Sequence, residues 1–188
     1  NYPSFIDVKT NERGFIFAVD LTSGRIFERD QEANLVAVFG GMGSQLGTFT
    51  TPVAVETYGD RVYVLDRLKN NITIFEPTEY GALVEEAICR YNDGLYEEAS
   101  ALWMEVLARN ANSRLAYNGI GKAYTQAEEY TDALQYLRYS GDKYSYSRAF
   151  GKNRLVVVRK YGPYFIALAV CAAAALSVRR RIVRRKKK

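Results

Sequence analysis

The first 80 residues alternate apolar and polar side chains in the manner of β-strands. Alternation is clear over residues 14–20 and again over Arg61–Asp66, and both segments are rich in β-branched and aromatic residues. Shorter segments of the same kind occupy residues 5–8 and 52–55. We therefore predict that residues 1–78 form a β-rich unit.

The two strand-rich segments are copies of one another. Val19 corresponds to Leu65 and Ile26 to Ile72, in each case 46 positions later. A repeat of about 40–50 residues built from short strands has the period of a β-propeller blade.

The copy over residues 52–55, 59–66 and 71–75 resembles NHL-type β-propeller repeats, and the glycine-rich residues 39–43 are similar to their inter-blade turn. The resemblance covers residues 1–78 and implies a partial propeller of about two blades. Because propellers close with roughly four to eight blades, we expect further blades upstream of Asn1.

Asp20 and Asp66 end equivalent strands and have two interpretations. They could be metal or catalytic carboxylates, as in the related lactonase-like propellers, but no partner ligands are visible beside them. We expect each carboxylate instead to accept hydrogen bonds from the N–H groups of its own turn.

After Pro77 the period of the apolar positions becomes helical, and residues 79–158 contain a 34-residue self-match. The match pairs Ala99 with Ala133 and Trp103 with Leu137, and it resembles tetratricopeptide (TPR) repeats. We predict stacked helical hairpins, followed by a capping helix over residues 145–160 whose buried side consists of Ala149, Phe150, Leu155 and Val156.

The TPR resemblance implies a concave surface lined by the first helix of each hairpin. The residues that it places there are Val84, Ile88, Tyr91, Asn118 and Lys122. Asn118 and Lys122 lie four positions apart and so share one helix face, where they could hold the backbone and carboxylate of a peptide. A solvated polar face is the alternative.

Residues 161–178 contain no charged side chain and would span about 27 Å as a helix, close to the thickness of a membrane core. We predict a single transmembrane helix here, and a buried alanine-rich packing helix is the alternative. Interfacial aromatic residues at one end and bases at the other are expected to anchor it: Tyr161, Tyr164, Phe165, Arg179, Arg180 and Arg181.

Charge is divided sharply along the chain. Residues 1–142 hold 12 bases and 21 acids, whereas residues 143–188 hold 14 bases and no acid, which gives the net +5 of the whole chain. The basic tail, residues 179–188, is expected to stay in the cytoplasm, with the preceding domains on the other side of the cell membrane. The tail also suggests nucleic-acid binding, but membrane topology already explains it, and we expect no nucleic-acid partner.

The chain has no histidine and two cysteines. Ser-His-Asp and Cys-His catalysis and His-ligated zinc are therefore excluded, and we predict no catalytic residue, metal site or cofactor.

Together these observations predict a multidomain β-then-α chain that acts as a non-catalytic, membrane-anchored interaction scaffold or ligand sensor. The expected partners are a protein or peptide and the lipid membrane, while the resemblance leaves a carbohydrate or small-molecule ligand open for a complete propeller. The alternatives are a lactonase-like or sugar-acting propeller enzyme whose site lies mostly in other blades, and a cytoplasmic tail-anchored adaptor.

Overall fold

The computed structural model describes the backbone of residues 2–186 and the side chains of residues 2–174 and 176. Seven strands precede five helices in this part of the chain. The strands are β1 (Phe5–Thr10), β2 (Ile16–Asp20), β3 (Arg25–Arg29), β4 (Leu35–Gly40), β5 (Pro52–Tyr58), β6 (Arg61–Asp66) and β7 (Asn71–Phe75). The helices are α1 (Glu79–Asn92), α2 (Tyr96–Arg109), α3 (Arg114–Gln126), α4 (Tyr130–Ser140) and α5 (Lys143–Lys186). The β-then-α order agrees with the prediction.

The strands form two antiparallel sheets, β1-β2-β3-β4 and β5-β6-β7. Their registers repeat, since Val19 pairs with Ile26 in the first sheet and Leu65 pairs with Ile72 in the second. A register shift also occurs at the equivalent place, near the start of β1 and of β5. Within the described residues the two sheets do not close into a propeller.

Strand β4 was not predicted, because Phe39 and Gly40 were assigned to the glycine-rich turn. They belong to the strand instead, where Phe39 pairs with Ile26. Gly40 has φ +77°, and a Cβ atom there would lie 2.8 Å from Ile26 Cδ1. The glycine is therefore required both by its backbone conformation and by the close approach of the core.

The second sheet has no fourth strand among the described residues, because the chain turns into α1 after β7. Thr78 caps the helix, its Oγ1 accepting a hydrogen bond from Gly81 N at 3.1 Å. The change from strand to helical periodicity at Pro77 therefore coincides with the structural transition.

Helices α1–α5 pack each on the next, and α1 also contacts α3 while α3 contacts α5. Close packing depends on small residues: a Cβ at Gly121 would lie 2.4 Å from Leu137 Cγ, and one at Gly119 would lie 2.3 Å from Trp103 Nε1. Trp103 and Leu137, the pair matched by the 34-residue repeat, are both buried.

One hydrophobic core extends across the junction between sheets and helices. It runs from Phe15 and Val19 in the sheet region, through Val84 and Trp103, to Ile120 in α3. The sheets and the first three helices therefore support one another through buried apolar contacts.

The predicted capping helix is part of the long helix α5 and does not end near residue 160. Of its predicted buried side only Ala149 is buried, whereas Phe150, Leu155 and Val156 are exposed. That prediction was wrong because the stack ends at α4, so no described element covers α5 beyond its first two turns.

Candidate functional site

Four of the five residues predicted for the concave surface come together at one small cavity. Ile88 and Tyr91 reach it from α1, and Asn118 and Lys122 reach it from α3. Val84 does not, because it is buried in the core beneath α1.

The β3–β4 turn covers this end of the helical surface, which the sequence did not predict. Asp30 shapes the turn by accepting hydrogen bonds from the backbone N–H groups of Glu32 and Asn34 at 2.9 and 2.8 Å. Glu32 in turn forms an ion pair with Lys122. The Lys122 ammonium is therefore engaged by a carboxylate of the chain itself, and it also lies 6.0 Å from the Tyr91 ring centroid.

Lys122 changes the acidity of its partner. Partial burial alone would raise the pKa of Glu32, but hydrogen bonds from Lys122 and Asn34 and the lysine charge outweigh burial and lower it. Glu32 is therefore ionised at neutral pH, and its contact with Lys122 links the β3–β4 turn to α3.

The small cavity has a volume of about 30 Å³ and is bordered by a buried donor and a buried acceptor. Trp103 Nε1 and Asn118 Oδ1 both lack a hydrogen-bond partner among the described residues. A space of this size accommodates about one water molecule, which needs partners of this kind.

A larger cavity of about 300 Å³ shares Glu32, Asn34, Tyr91 and Lys122 with the small one and extends to the start of α5. We call the two cavities together the helical groove. Its α5 side is formed by Asp142, Tyr144, Ser145 and Arg148.

The charged groups of the helical groove differ in whether contacts within the chain already occupy them. Asp142 accepts hydrogen bonds from Tyr144 N at 2.9 Å and from Ser145 Oγ at 2.6 Å. Burial would raise the pKa of Asp142, but these bonds outweigh burial and lower it. Arg148 is exposed and forms no ion pair within the described part of the chain, so it is the base of this groove best placed to meet an anionic ligand group.

A second polar link between sheets and helices centres on Arg13, in the β1–β2 turn. Its guanidinium donates to Glu85 at 2.9 Å and to Glu86 at 3.1 Å, and it lies 3.7 Å from Asp60. Glu86 also pairs with Arg90 at 2.8 Å. Arg90 lies 3.7 Å from Glu98 of α2 as well, so this charged cluster joins the β1–β2 turn to the first two helices.

Asp20 and Asp66 occupy equivalent turns, as expected. Asp66 accepts four backbone N–H bonds, from Thr50, Thr51, Leu68 and Lys69, at 2.6–3.2 Å. Asp20 accepts three such bonds, from Ser4, Thr22 and Ser23, and one from the Ser23 hydroxyl. Burial would raise the pKa of each carboxyl, but the hydrogen bonds outweigh it and lower both. The turn interpretation is thus confirmed.

Sequence reasoning missed Glu28, which is only 6% exposed although it is an acid. A signal was present, because Glu28 lies two positions after Ile26 in a strand and two-residue spacing places both on one face. A charged residue on an inward face needs a structural or functional reason.

Helix α5 leaves the stack as an exposed apolar helix. Segment Lys143–Ala174 contains a stretch long and apolar enough to cross a membrane by length and composition, and none of that stretch is buried. The predicted interfacial residues Tyr161, Tyr164 and Phe165 are all exposed. The side chains of Arg179, Arg180 and Arg181 lie outside the described residues.

Neither protein-family models nor curated proteins give a match to this chain. The NHL and TPR resemblances therefore rest on the sequence repeats alone, because two antiparallel sheets followed by helices do not by themselves identify either family.

Proposed function

We propose that this protein is a non-catalytic, membrane-anchored interaction protein that binds a peptide or protein segment in the helical groove. One observation supports the proposal above the others: α5 forms one wall of the groove and continues as the exposed apolar helix. Binding and anchoring thus share one continuous element.

The exposure of α5 supports the anchor. Phe165 is 71% exposed, and Ile166, Leu168 and Val170 are exposed as well. A soluble protein would normally bury an apolar helix of this length, since each exposed side chain of this size costs roughly 1.5–3 kcal/mol in water. Residues 161–178 in lipid would avoid that cost.

The groove supports the partner class. Tyr91 and Tyr144 offer aromatic surface, while Arg148 offers an exposed cation. Aromatic and arginine side chains are the residues that most often anchor protein partners. We assign Asn118 and Lys122 to the groove wall, with Lys122 positioned by Glu32 rather than free to meet a carboxylate.

The β region, in this proposal, belongs to an NHL-type propeller that continues beyond these two sheets. The outer side of the first sheet exposes Val8 and Val38, and the outer side of the second exposes Leu65, Ile72 and Ile74. Further blades would cover both surfaces. Asp20 and Asp66 are engaged by their own turns, which fits a binding rather than a catalytic role for these blades.

In orientation, we place the sheets and α1–α4 outside the cytoplasm and residues 179–188 inside, because eight of those ten tail residues are basic. Trypsin added to intact spheroplasts should then cleave after Arg109, which lies at the end of α2. Cleavage only after the cells are lysed would instead support a cytoplasmic tail-anchored adaptor.

Deletion of residues 161–188 tests the anchor. The truncated chain should move from the membrane pellet to the soluble fraction. Deletion of residues 179–188 alone is the control and should leave the protein in the pellet. A chain lacking 161–188 that still sediments completely with membranes would contradict the proposal.

Photo-crosslinking tests the groove. A benzophenone amino acid at Tyr144, which lines the groove, should give discrete adducts with a partner in intact cells. The matched control is the same substitution at Tyr139, which is exposed on α4 and does not line it. Equal amounts of adduct at both positions would count against partner binding in the groove. So would Tyr144 adducts that persist unchanged when Arg148→Glu is added.

A further inference from the structure

A further cavity lies between the two sheets, and the proposed function does not use it. It has a volume of about 290 Å³ and is bounded by the inner face of the first sheet, the β5–β6 turn and the start of α1. We call it the intersheet cleft. Its size is at the lower end of the range for small-molecule sites.

The walls of the intersheet cleft are mainly aromatic and aliphatic. Phe17 and Phe39 line it from the first sheet, and Val62 and Phe75 line it from the second. The Phe39 and Phe75 rings lie 4.8 Å apart between centroids. These side chains provide an apolar enclosure for the body of a small organic molecule.

One carboxylate lies within this apolar surface. Glu28 lines the cleft, and its Oε1 atom is buried without a hydrogen-bond partner among the described residues. Burying a carboxyl without a partner costs free energy. The equivalent position in the second sheet, 46 residues later, is Ile74, so the repeat itself does not require an acid at this place in the strand.

The nearby bases are already engaged. Arg13 pairs with Glu85 at 2.9 Å and with Glu86 at 3.1 Å. Arg61, at the cleft edge, pairs with Glu76 at 2.7 Å. With Asp60 also at the edge, the lining has four carboxyl groups and one base, so it favours a positively charged ligand.

We propose that the intersheet cleft binds a small organic amine, with its ammonium group paired to the Glu28 carboxylate and its apolar body against Phe17, Phe39 and Phe75. Aromatic ring faces attract cations, and the unpartnered carboxylate gains the charged partner that it lacks. A metal ion fits less well, because no group of three His, Cys, Asp or Glu side chains suitable for a metal occurs in the described residues.

The charges around the cleft make the expected affinity for an amine depend on pH. Burial, reinforced by the charge of Glu85 and opposed by Arg13, raises the pKa of Glu28 to about 7. Burial also raises the pKa of Glu85, with Arg13 opposing and Asp60 adding to the shift. An ammonium group binds the ionised acid, so affinity should be about tenfold weaker at pH 6 than at pH 8.

Calorimetric titration of the full chain in detergent micelles with three matched compounds tests the proposal. Phenethylamine should bind, 2-phenylethanol should bind at least tenfold more weakly, and phenylacetate should not bind. Glu28→Gln should reduce amine affinity at least tenfold and remove its pH dependence. Glu97→Gln, at an exposed position of α2 away from the cleft, should change neither.

Equal affinity for amine and alcohol, or unchanged amine affinity in Glu28→Gln, would overturn the proposal. So would the absence of saturable heat for all three compounds. If Glu28→Gln does not fold, the pH dependence of the unmodified chain decides, since affinity that is constant from pH 6 to pH 8 is incompatible with an ion pair at Glu28.

Discussion

The two β-sheets share one strand register but bury opposite faces. In the first sheet Val19 and Ile26 lie on the inner face and are fully buried, whereas their equivalents Leu65 and Ile72 in the second sheet are exposed. On the other face the order is reversed, since Val64 is buried and the equivalent Ala18 is only partly so. One side of each sheet is thus covered by its neighbour.

This difference shows that the same strand register can bury either face of a sheet, depending on which side its neighbour lies. Direct contacts join the two sheets: Asp7 Oδ2 accepts a hydrogen bond from Val55 N at 2.8 Å, and Lys9 pairs with Glu56 at 2.9 Å. The free side of each sheet also carries exposed apolar residues, which the proposed NHL-type propeller would cover with further blades.

Truncation of equivalent isoleucines gives the largest expected contrast. Ile26→Ala removes a side chain that is 0% exposed and should lower the free energy of unfolding by about 2–5 kcal/mol. Ile72→Ala removes the same atoms from a residue that is 59% exposed and should cost about 0.5 kcal/mol or less. Urea unfolding at pH 7 measures both. Similar losses at the two sites would mean that another element covers the second sheet.

The second contrast concerns Glu28 and Ile74, which occupy equivalent positions. The pKa of Glu28 is raised to about 7 in the folded protein, above its usual value near 4.5. The folded state therefore holds its proton more tightly, and stability should fall by about 3 kcal/mol as the pH rises from 4.5 to above 7. Glu28→Gln should flatten this part of the pH–stability curve, which thermal unfolding from pH 4.5 to 8.5 would record.

Ile74→Val is the control for that experiment and should leave the pH dependence as it is in the unmodified chain. An unchanged slope in Glu28→Gln would show that another group, such as Glu85, produces it.

The two turn aspartates should give the smallest difference, because both sheets use them in the same way. Asp20→Ala and Asp66→Ala each remove four accepted hydrogen bonds and should each cost about 2 kcal/mol. Both pKa values are lowered in the fold, so this stabilisation is present above the ordinary aspartate pKa and is lost as the pH falls through the folded-state values. Urea unfolding midpoints at pH 7 and pH 3 measure this stabilisation. A loss of stability at only one of the two sites would show that Asp20 and Asp66 do not have equivalent roles.

Local patterns predicted most of the individual elements. Two-residue alternation placed the strands around Val19 and Val64, and the change of period at Pro77 placed the start of α1. Strand β4 was missed because its end contains Gly40, which in isolation indicates a turn. Its glycine is required by a contact with Ile26 that sequence alone does not show.

The sites were predicted less completely. Helical spacing brought Asn118 and Lys122 to one face, but their neighbour is Glu32 from a turn 90 residues earlier. The intersheet cleft was not predicted, since Glu28, Val62 and Phe75 come from separate strands of two sheets.

By itself the sequence determined the properties that depend on neighbouring residues: strand and helix periodicity, the change of period after Pro77, the acid–base division and the apolar run near the carboxyl end. Only the tertiary structure decided which face of each sheet is buried, which charges are paired and where cavities remain. The physical reason is that burial and ion pairing are set by side chains distant in the chain, whose approach depends on the packing of whole sheets and helices.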